Sequence, residues 1–229
     1  MNNIKVNTIV TDGKARLNEV TLNDKTFKTP MFMPVATKGA LKSLPFKYLQ
    51  QTDFILGNTY HLYLRPGLDV IREFNGLHNF IGWNKLILTD SGGFQGWSIP
   101  NKFNDDGIQF KNIYDGSKFF MDPKLSMDIQ QTLNSDIAMI LDSLIDINSG
   151  YDAQLKSIDT TKRWARVACE YHSNTNQSLF GIVQGGRHKE LREKSTNDMI
   201  SLDFNGYAIG GLAIGESPEE RKEIVNFTV

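Results

Sequence analysis

"LILTDSGGFQ", Leu86 to Gln95, decides the fold. Its first four residues are apolar or β-prone without alternation, which is how a strand covered on both faces reads. The strand then runs directly into an aspartate, a serine, two glycines, an aromatic and a glutamine. Parallel α/β folds place their sites at the C-terminal ends of strands, so this junction marks a buried strand and a candidate functional edge together.

Working outward, five further short apolar runs share the pattern: "MFMPVA" (31–36), "FILGNTY" (54–60), "IAMILD" (137–142), "LFGIVQ" (179–184) and "YAIGG" (207–211). Helix signals lie between them. Ser43 with Pro45 can open one, and Asp122 caps "PKLSMDIQQTLN", because proline at a first helical position loses no hydrogen bond. From Asp152 a long helix carries Leu155, Ile158, Ala165 and Ala168 on one stripe. Ser217 with Glu220 has the capping-box spacing. Two stretches interrupt the alternation. "ARLNEVTLNDKTFKTP" reads as an N-terminal hairpin around Asn23-Asp24, and "DGIQFKNIYDGSKFFMDP" as an inserted hairpin turning at Asp115-Gly116.

Six β-then-α units leave an open doubly wound sheet or a (β/α) barrel. No GxGxxG or GxxxxGK(S/T) motif follows a strand, which weakens the nucleotide-binding open sheets. Polar clusters end four successive strands, and four such ends converging on one mouth is the barrel pattern. The expectation is an α/β fold of the (β/α)8 TIM-barrel family, incomplete with six of eight barrel strands, forming a single domain over 1–229.

With 40% hydrophobic and 22% charged residues the composition is that of an ordinary globular protein. No apolar run approaches the roughly 20 residues that span a bilayer, and the start "MNNIKVNTIV" lacks a signal-peptide core. A soluble, cytoplasmic protein without a membrane partner is expected. The single cysteine, Cys169, excludes an internal disulfide and a cysteine-rich zinc site within the chain; its helical surroundings suit a small buried thiol. A net charge of -1 argues against a general nucleic-acid coat while leaving a local site open. The densest basic patch, Arg187 to Lys194, reads as the solvated face of a helix.

The strand ends carry Asp90 with Ser91-Gly92-Gly93, then Asp142, Gln184 with Gly185-Gly186, and Gly210-Gly211. A carboxylate only accepts, a glutamine amide does both, and a backbone N–H only donates. A guanine-type edge presents N1–H and a 2-amino group as donors and O6 and N7 as acceptors, and so needs that mixture. Asp142 would take the two donors, Gln184 and the Gly211 N–H would serve O6, and Phe94 would stack at the rim. Spacing alone leaves the ligand open, since two carboxylates on adjacent strands equally suit a glycosidase pair. His61 offers a catalytic reading, but a histidine after a strand is more often a satisfied structural one, and His78, His172 and His188 show no metal spacing.

"TPMFMPVAT", "GNTYHLYLRPG", "LTDSGGFQ", "DGSKFFMDP", "LNSDIAMILD", "GIVQGG" and "GYAIGGLAIGE" occur in an order that resembles the tRNA-guanine transglycosylases, specifically the bacterial queuine tRNA-ribosyltransferases, from about residue 4 onward. The resemblance implies a pentosyltransferase barrel that replaces guanine at the wobble position of certain tRNAs by a 7-deazaguanine, a step in queuosine biosynthesis. It implies that Asp90 is the catalytic carboxylate of this chain, accepting a proton or holding ribose and base. Asp142, Gln184 and Gly211 would recognise the base, Leu212 and Ala213 would line the pocket, and Phe94 would stack. Ser91 would contact the substrate, and Gly92 and Gly93 would make room for a flipped-out nucleotide. Ile214 stands where bacterial members have valine and eukaryotic ones glycine, implying 7-aminomethyl-7-deazaguanine rather than the larger queuine as substrate.

Departures from the family shape the remaining expectations. "DSLIDI" follows Asp142 where the family usually continues Glu-Cys-Thr-Pro. The family's nucleophilic aspartate and its Cys-x-Cys-x-x-Cys plus His zinc site match nothing before "RKEIVNFTV". The C-terminal zinc subdomain is thus expected to be absent, no cofactor is expected in this chain, and the chain is expected to be inactive alone, with a homodimer or a complementing chain covering its open edges. The partners that the resemblance implies are tRNA and guanine and 7-deazaguanine bases. The alternatives are a non-catalytic subunit binding tRNA or a deazaguanine and, further from the motifs, a barrel glycosidase.

Overall fold

The computed structural model describes residues 4–49, 51–99 and 102–229; the first three residues of the N-terminal stretch read above lie outside them. In chain order the elements are β1 (Ile4–Asp12), β2 (Ala15–Leu22), β3 (Lys25–Thr29), β4 (Val35–Ala36), β5 (Phe54–Gly57), α1 (Thr59–Leu64), α2 (Leu68–Glu73), α3 (Leu77–Ile81), β6 (Leu86–Thr89) and α4 (Gly93–Ser98). There follow β7 (Lys102–Phe103), β8 (Ile108–Lys111), β9 (Lys118–Met121), α5 (Pro123–Leu133), β10 (Ile137–Met139), α6 (Tyr151–Tyr171), β11 (Ser178–Val183), α7 (Lys189–Ile200), β12 (Gly206–Ile209) and α8 (Pro218–Thr228). Each of the six apolar runs contains a strand, and the fold is α/β with mostly parallel pairing in that set. The described residues form two compact units. One runs through Asp90 and includes Ile129–Ala138 and Ser173–Ser178; the other holds Ser91–Asp128, Met139–His172 and Leu179–Val229.

In the first unit the parallel order is β10-β6-β5-β4, with Leu86 opposite Phe54 and Leu88 opposite Ile137. Every residue of β6 is buried, as its unbroken apolar run requires. Asp136 closes the strand's entry end. Its carboxylate accepts from the Ile87 N–H at 2.7 Å and lies 3.0 Å from His78 Nε2 and 3.3 Å from Lys25 Nζ. The N-terminal hairpin is a three-stranded antiparallel meander, β1-β2-β3, turning at Asn23 with φ 54°. Phe27 on β3 meets Phe54 edge-on at 5.0 Å. Two expectations need correction. Only Val35–Ala36 of "MFMPVA" pairs as strand, because Pro34 has no N–H to donate; its carbonyl accepts from Leu56 N–H at 2.9 Å. The helix expected after Ser43 is a single 3-10 turn, Phe46–Tyr48, since Ser43 takes φ 63° and cannot cap from an extended conformation.

In the second unit β7-β8-β9 form another antiparallel meander. Its turn is held by Asp115, which accepts from the Ser117 N–H at 2.8 Å, while Gly116 supplies φ 75°. Asp122 caps α5 by accepting from Leu125 N–H at 2.7 Å. Helix α6 buries Gln154, Ser157, Ile158, Thr161, Trp164, Ala165 and Ala168, a stripe at three- and four-residue spacing, with Leu155 only partly covered. Cys169 is only partly buried, and burial, with the charge of Glu170, pushes its thiol up to about 11. Ser217 and Glu220 form the expected capping box on α8.

The parallel pair here is β12-β11, with Phe180 opposite Gly206 and Val183 opposite Ile209. Strands β11 and β12 interlock by volume. Phe180 stands opposite Gly206, where a Cβ would overlap its ring, and a Cβ on Gly181 would come within 2.6 Å of the Phe204 ring. A one-residue slip would set aromatic against aromatic, so the pairs pin the register.

The basic run 187–194 is not a simple solvated face. Lys194 pairs with Asp159 at 2.7 Å and Asp198 at 2.9 Å, Arg187 reaches Asn148 at 2.6 Å, and Arg192 is fully buried. Among the described residues no helix is long and apolar enough to cross a membrane.

Candidate functional site

Strand β6 delivers Asp90, half-buried, at its C-terminal end within the first unit. Asn58 Nδ2 donates to Asp90 Oδ2 at 2.5 Å and the Thr59 N–H to Oδ1 at 3.0 Å, while the Thr59 hydroxyl donates to the Asp90 carbonyl. Asn58 is itself fixed as the cap of α1, its Oδ1 accepting from His61 N–H at 2.9 Å. The carboxylate is therefore an oriented acceptor with both oxygens held. On the same helix His61 has a buried Nδ1 without a hydrogen-bond partner; burial, and then the charge of Lys38, hold its pKa below the ordinary value.

The next residue opens the cluster in the second unit. Ser91 Oγ donates to Asp142 Oδ1 at 3.3 Å and accepts from Gly93 N–H at 3.1 Å, and the Ser91 carbonyl accepts from Ser126 Oγ at 2.9 Å. Gly92 turns the chain in the left-handed region at φ 84°. A Cβ on Gly93 would overlap the Asp142 carboxylate, so this position has no room for a side chain.

Asp142, 6% exposed, accepts from Gln184 Nε2 at 2.6 Å. Burial pushes its carboxyl up to about 6 against the opposing hydrogen bonds from Gln184 and Ser91. Gln184 is anchored through its own N–H to Ser195 Oγ at 3.0 Å. Its amide fills the space beside the next strand end: a Cβ on Gly211 would stand 2.5 Å from Gln184 Oε1, and one on Gly210 2.7 Å from Nε2. Ser91, Gly93, Asp142, Gln184 and Gly211 thus form one connected group of acceptor, amide and glycine backbone.

Leu212 and Ala213 continue from Gly211 into a tight loop. Ala213 sits at φ 61°, and the N–H groups of Ala213 and Ile214 donate to Glu216 at 2.5 and 3.1 Å. Glu216 also accepts from Arg221 Nε at 2.6 Å. Burial alone would raise its pKa, but these hydrogen bonds outweigh it and bring it down to about 2. Phe94 is 49% exposed and tilted 51° against the Trp97 ring at 5.7 Å, a pair of open aromatic faces.

The sequence reading missed four residues here. Asn58 and Thr59 lay inside a quoted motif, and an asparagine before "TYHLYL" is a cap signal that could have drawn notice. Glu216 closed a quoted motif and Arg192 lay in the basic run 187–194, but nothing in the sequence marked the burial of either. Cys169 is the single cysteine, and among the described residues no three His, Cys, Asp or Glu gather to hold an ion.

Comparison with known proteins gives a consistent result. The profile of the family described as "Queuine tRNA-ribosyltransferase" matches residues 12–229. A queuine tRNA-ribosyltransferase of Acinetobacter baylyi is 46% identical over 223 residues, covering 94% of this chain and 58% of the relative. One of Bacillus licheniformis is 45% identical over 219 residues, covering 93% and 58%. One of Acinetobacter baumannii is 44% identical over 222 residues, covering 94% and 59%. The chain therefore spans less than two thirds of the length of these relatives. With the profile matched from residue 12 to the last residue, the chain belongs to the queuine tRNA-ribosyltransferase family.

Proposed function

We propose that this chain carries the base-recognition part of a tRNA-guanine transglycosylase, in which guanine at the wobble position of tRNA is exchanged for 7-aminomethyl-7-deazaguanine. The observation that carries the proposal is the buried Asp142–Gln184 pair, with Gly93 and Gly211 leaving no competing side chain beside it. Asp142 accepts from N1–H and the 2-amino group, while the second Gln184 amide hydrogen and the Gly211 N–H donate to O6. Ser91 and Gly92 shape the approach, Leu212 and Ala213 line the walls, and Phe94 offers its exposed ring for stacking.

Asp90 is the catalytic carboxylate of this reading. Its oxygens, fixed by Asn58 and Thr59, accept a hydrogen bond from a ribose hydroxyl, or take the N9 proton of the incoming base as C1′ passes from guanine N9 to the incoming N9, a proton being delivered to N9 of the departing guanine. The parallel strands are read as six of the eight of a (β/α)8 barrel, in a single domain. A second copy or a complementing chain at the strand edges, and tRNA as macromolecular partner, belong to the same proposal.

Titration calorimetry of guanine and 7-aminomethyl-7-deazaguanine into the purified chain tests it, with queuine as competitor. The branched Ile214 side chain is expected to exclude queuine's cyclopentene ring. Binding of the two smaller bases supports the reading; binding of neither overturns it, and tighter queuine binding removes Ile214 from the pocket wall. Labelled guanine incorporation into tRNA then separates an exchanging enzyme from a binding subunit.

A further inference from the structure

Arg192 leads the fully buried side chains by volume among the described residues, an uncommon place for a group that keeps its charge. It projects from α7, and its guanidinium donates from Nε to the Gly186 carbonyl at 3.0 Å, and from Nη1 to the carbonyls of Gly210 at 2.8 Å and Val183 at 3.3 Å. All three acceptors are main-chain groups at the ends of β11 and β12. Burial lowers its pKa to about 10, with the charge of Glu216 opposing, so the group stays protonated at neutral pH. Nη2 is buried without a hydrogen-bond partner and lies 3.4 Å from the point where a Cβ on Gly211 would stand.

The peptide unit is planar and trans, so a carbonyl and the N–H that follows it point in opposite directions. The Gly210 carbonyl is turned onto Arg192, and the Gly211 N–H is therefore turned away from the guanidinium. Two consecutive glycines have no side chains to resist rotation of the peptide between them, and Gly211 lies at φ 66°. The hydrogen bond from Arg192 to Gly210 supplies the restraint that the missing side chains do not.

We propose that Arg192 is a positioning residue that locks the Gly210–Gly211 peptide so that the Gly211 N–H faces the purine 6-oxo group, and thereby sets a preference for bases with an acceptor at that position. This rests on the base-pocket reading above. A charged side chain that served the core alone would weaken every ligand equally when replaced; one that aims a single donor would weaken only those that use it.

The test compares guanine with 6-thioguanine, which keeps N1–H and the 2-amino group but presents a weakly accepting sulfur in place of the oxygen. Affinities are measured for the unaltered chain, Arg192→Lys and Arg192→Met. The guanine preference is expected to fall by on the order of tenfold in both variants, the size of one lost hydrogen bond, while 6-thioguanine binding changes little. If the variants do not fold, the 15N-labelled unaltered chain decides. Its Gly211 amide resonance should shift further downfield with guanine than with 6-thioguanine, and the Arg192 guanidinium protons should exchange slowly. Equal loss for both ligands, or a Gly211 amide indifferent to guanine, overturns the proposal. Guanine binding with an unchanged preference in the variants overturns this inference alone, whereas absence of guanine binding by the unaltered chain overturns the base-pocket reading with it.

Discussion

Asp142 and Gln184 are hydrogen-bonded to each other at 2.6 Å inside the fold, with 6% and 4% of their surfaces exposed. A carboxylate so placed is held in position before any ligand arrives, and its burial makes each unpaired donor opposite it costly.

The first prediction is that Asp142→Ala abolishes measurable binding of 7-aminomethyl-7-deazaguanine. Two ligand donors would be left unpaired in a buried site, at about 1–3 kcal/mol each. Lys124→Ala, at an exposed position on α5, should bind as the parent does. Calorimetry with equal affinities in the two variants would remove Asp142 from base reading.

The pH dependence follows from the same residue. The folded pKa of Asp142, about 6, exceeds its ordinary 3.8. The protonated form therefore contributes stability that is present below 3.8 and lost as pH rises through about 6. Base binding runs the other way, because it needs the ionised acceptor. Affinity should fall by about tenfold per pH unit below the folded pKa as one proton is displaced. Titrations spanning that window check it, and a flat profile would mean the base does not engage the carboxylate.

Gly93→Ala should reduce base affinity by at least about tenfold, or 1.4 kcal/mol, while the chain still folds. The added methyl overlaps the Asp142 carboxylate and comes within 3.0 Å of the Asp142 carbonyl, so the acceptor must shift out of line. Binding isotherms and thermal melts measured together separate the two effects. Undiminished affinity would show that the carboxylate position is not decisive.

Asp136 carries the opposite sign. Burial pushes its pKa up, but hydrogen bonds from His78 and the Ile87 N–H, with the charges of His78 and Lys25, outweigh burial and leave it below 3.8. Its contribution to stability is present above 3.8 and lost as pH falls through the lower folded value. Asp136→Asn should cost about 1–3 kcal/mol at neutral pH and progressively less in acid. Melting curves that show the same deficit at both pH values would refute the linkage.

The parallel strands were legible because burial on both faces writes itself as continuous apolar sequence, as in β6. What escaped had no such imprint. Strand β1 is exposed along nearly its whole length, so no alternation announced it, and β7 is two residues long. The glycine-rich strand ends and Asp142 were visible as polar interruptions of apolar runs. Arg192 was not, because its burial depends on three carbonyls brought together by turns 9 and 18 residues away or nearer. The hold on Asp90 comes from Asn58 and Thr59, separated from it by 32 and 31 residues, and only the fold makes that pairing.

The reciprocal fit of Gly181 with Phe204 and of Gly206 with Phe180 has a hereditary consequence. Neither glycine can acquire a side chain unless the ring facing it shrinks, and a smaller ring leaves a void until the glycine grows. Each single step is disfavoured, so in descent the two members of a pair are expected to change together or to persist together. Related sequences with a larger residue at position 181 should carry a smaller one at 204, and likewise for 206 and 180, a coupling that would be visible in sequences alone.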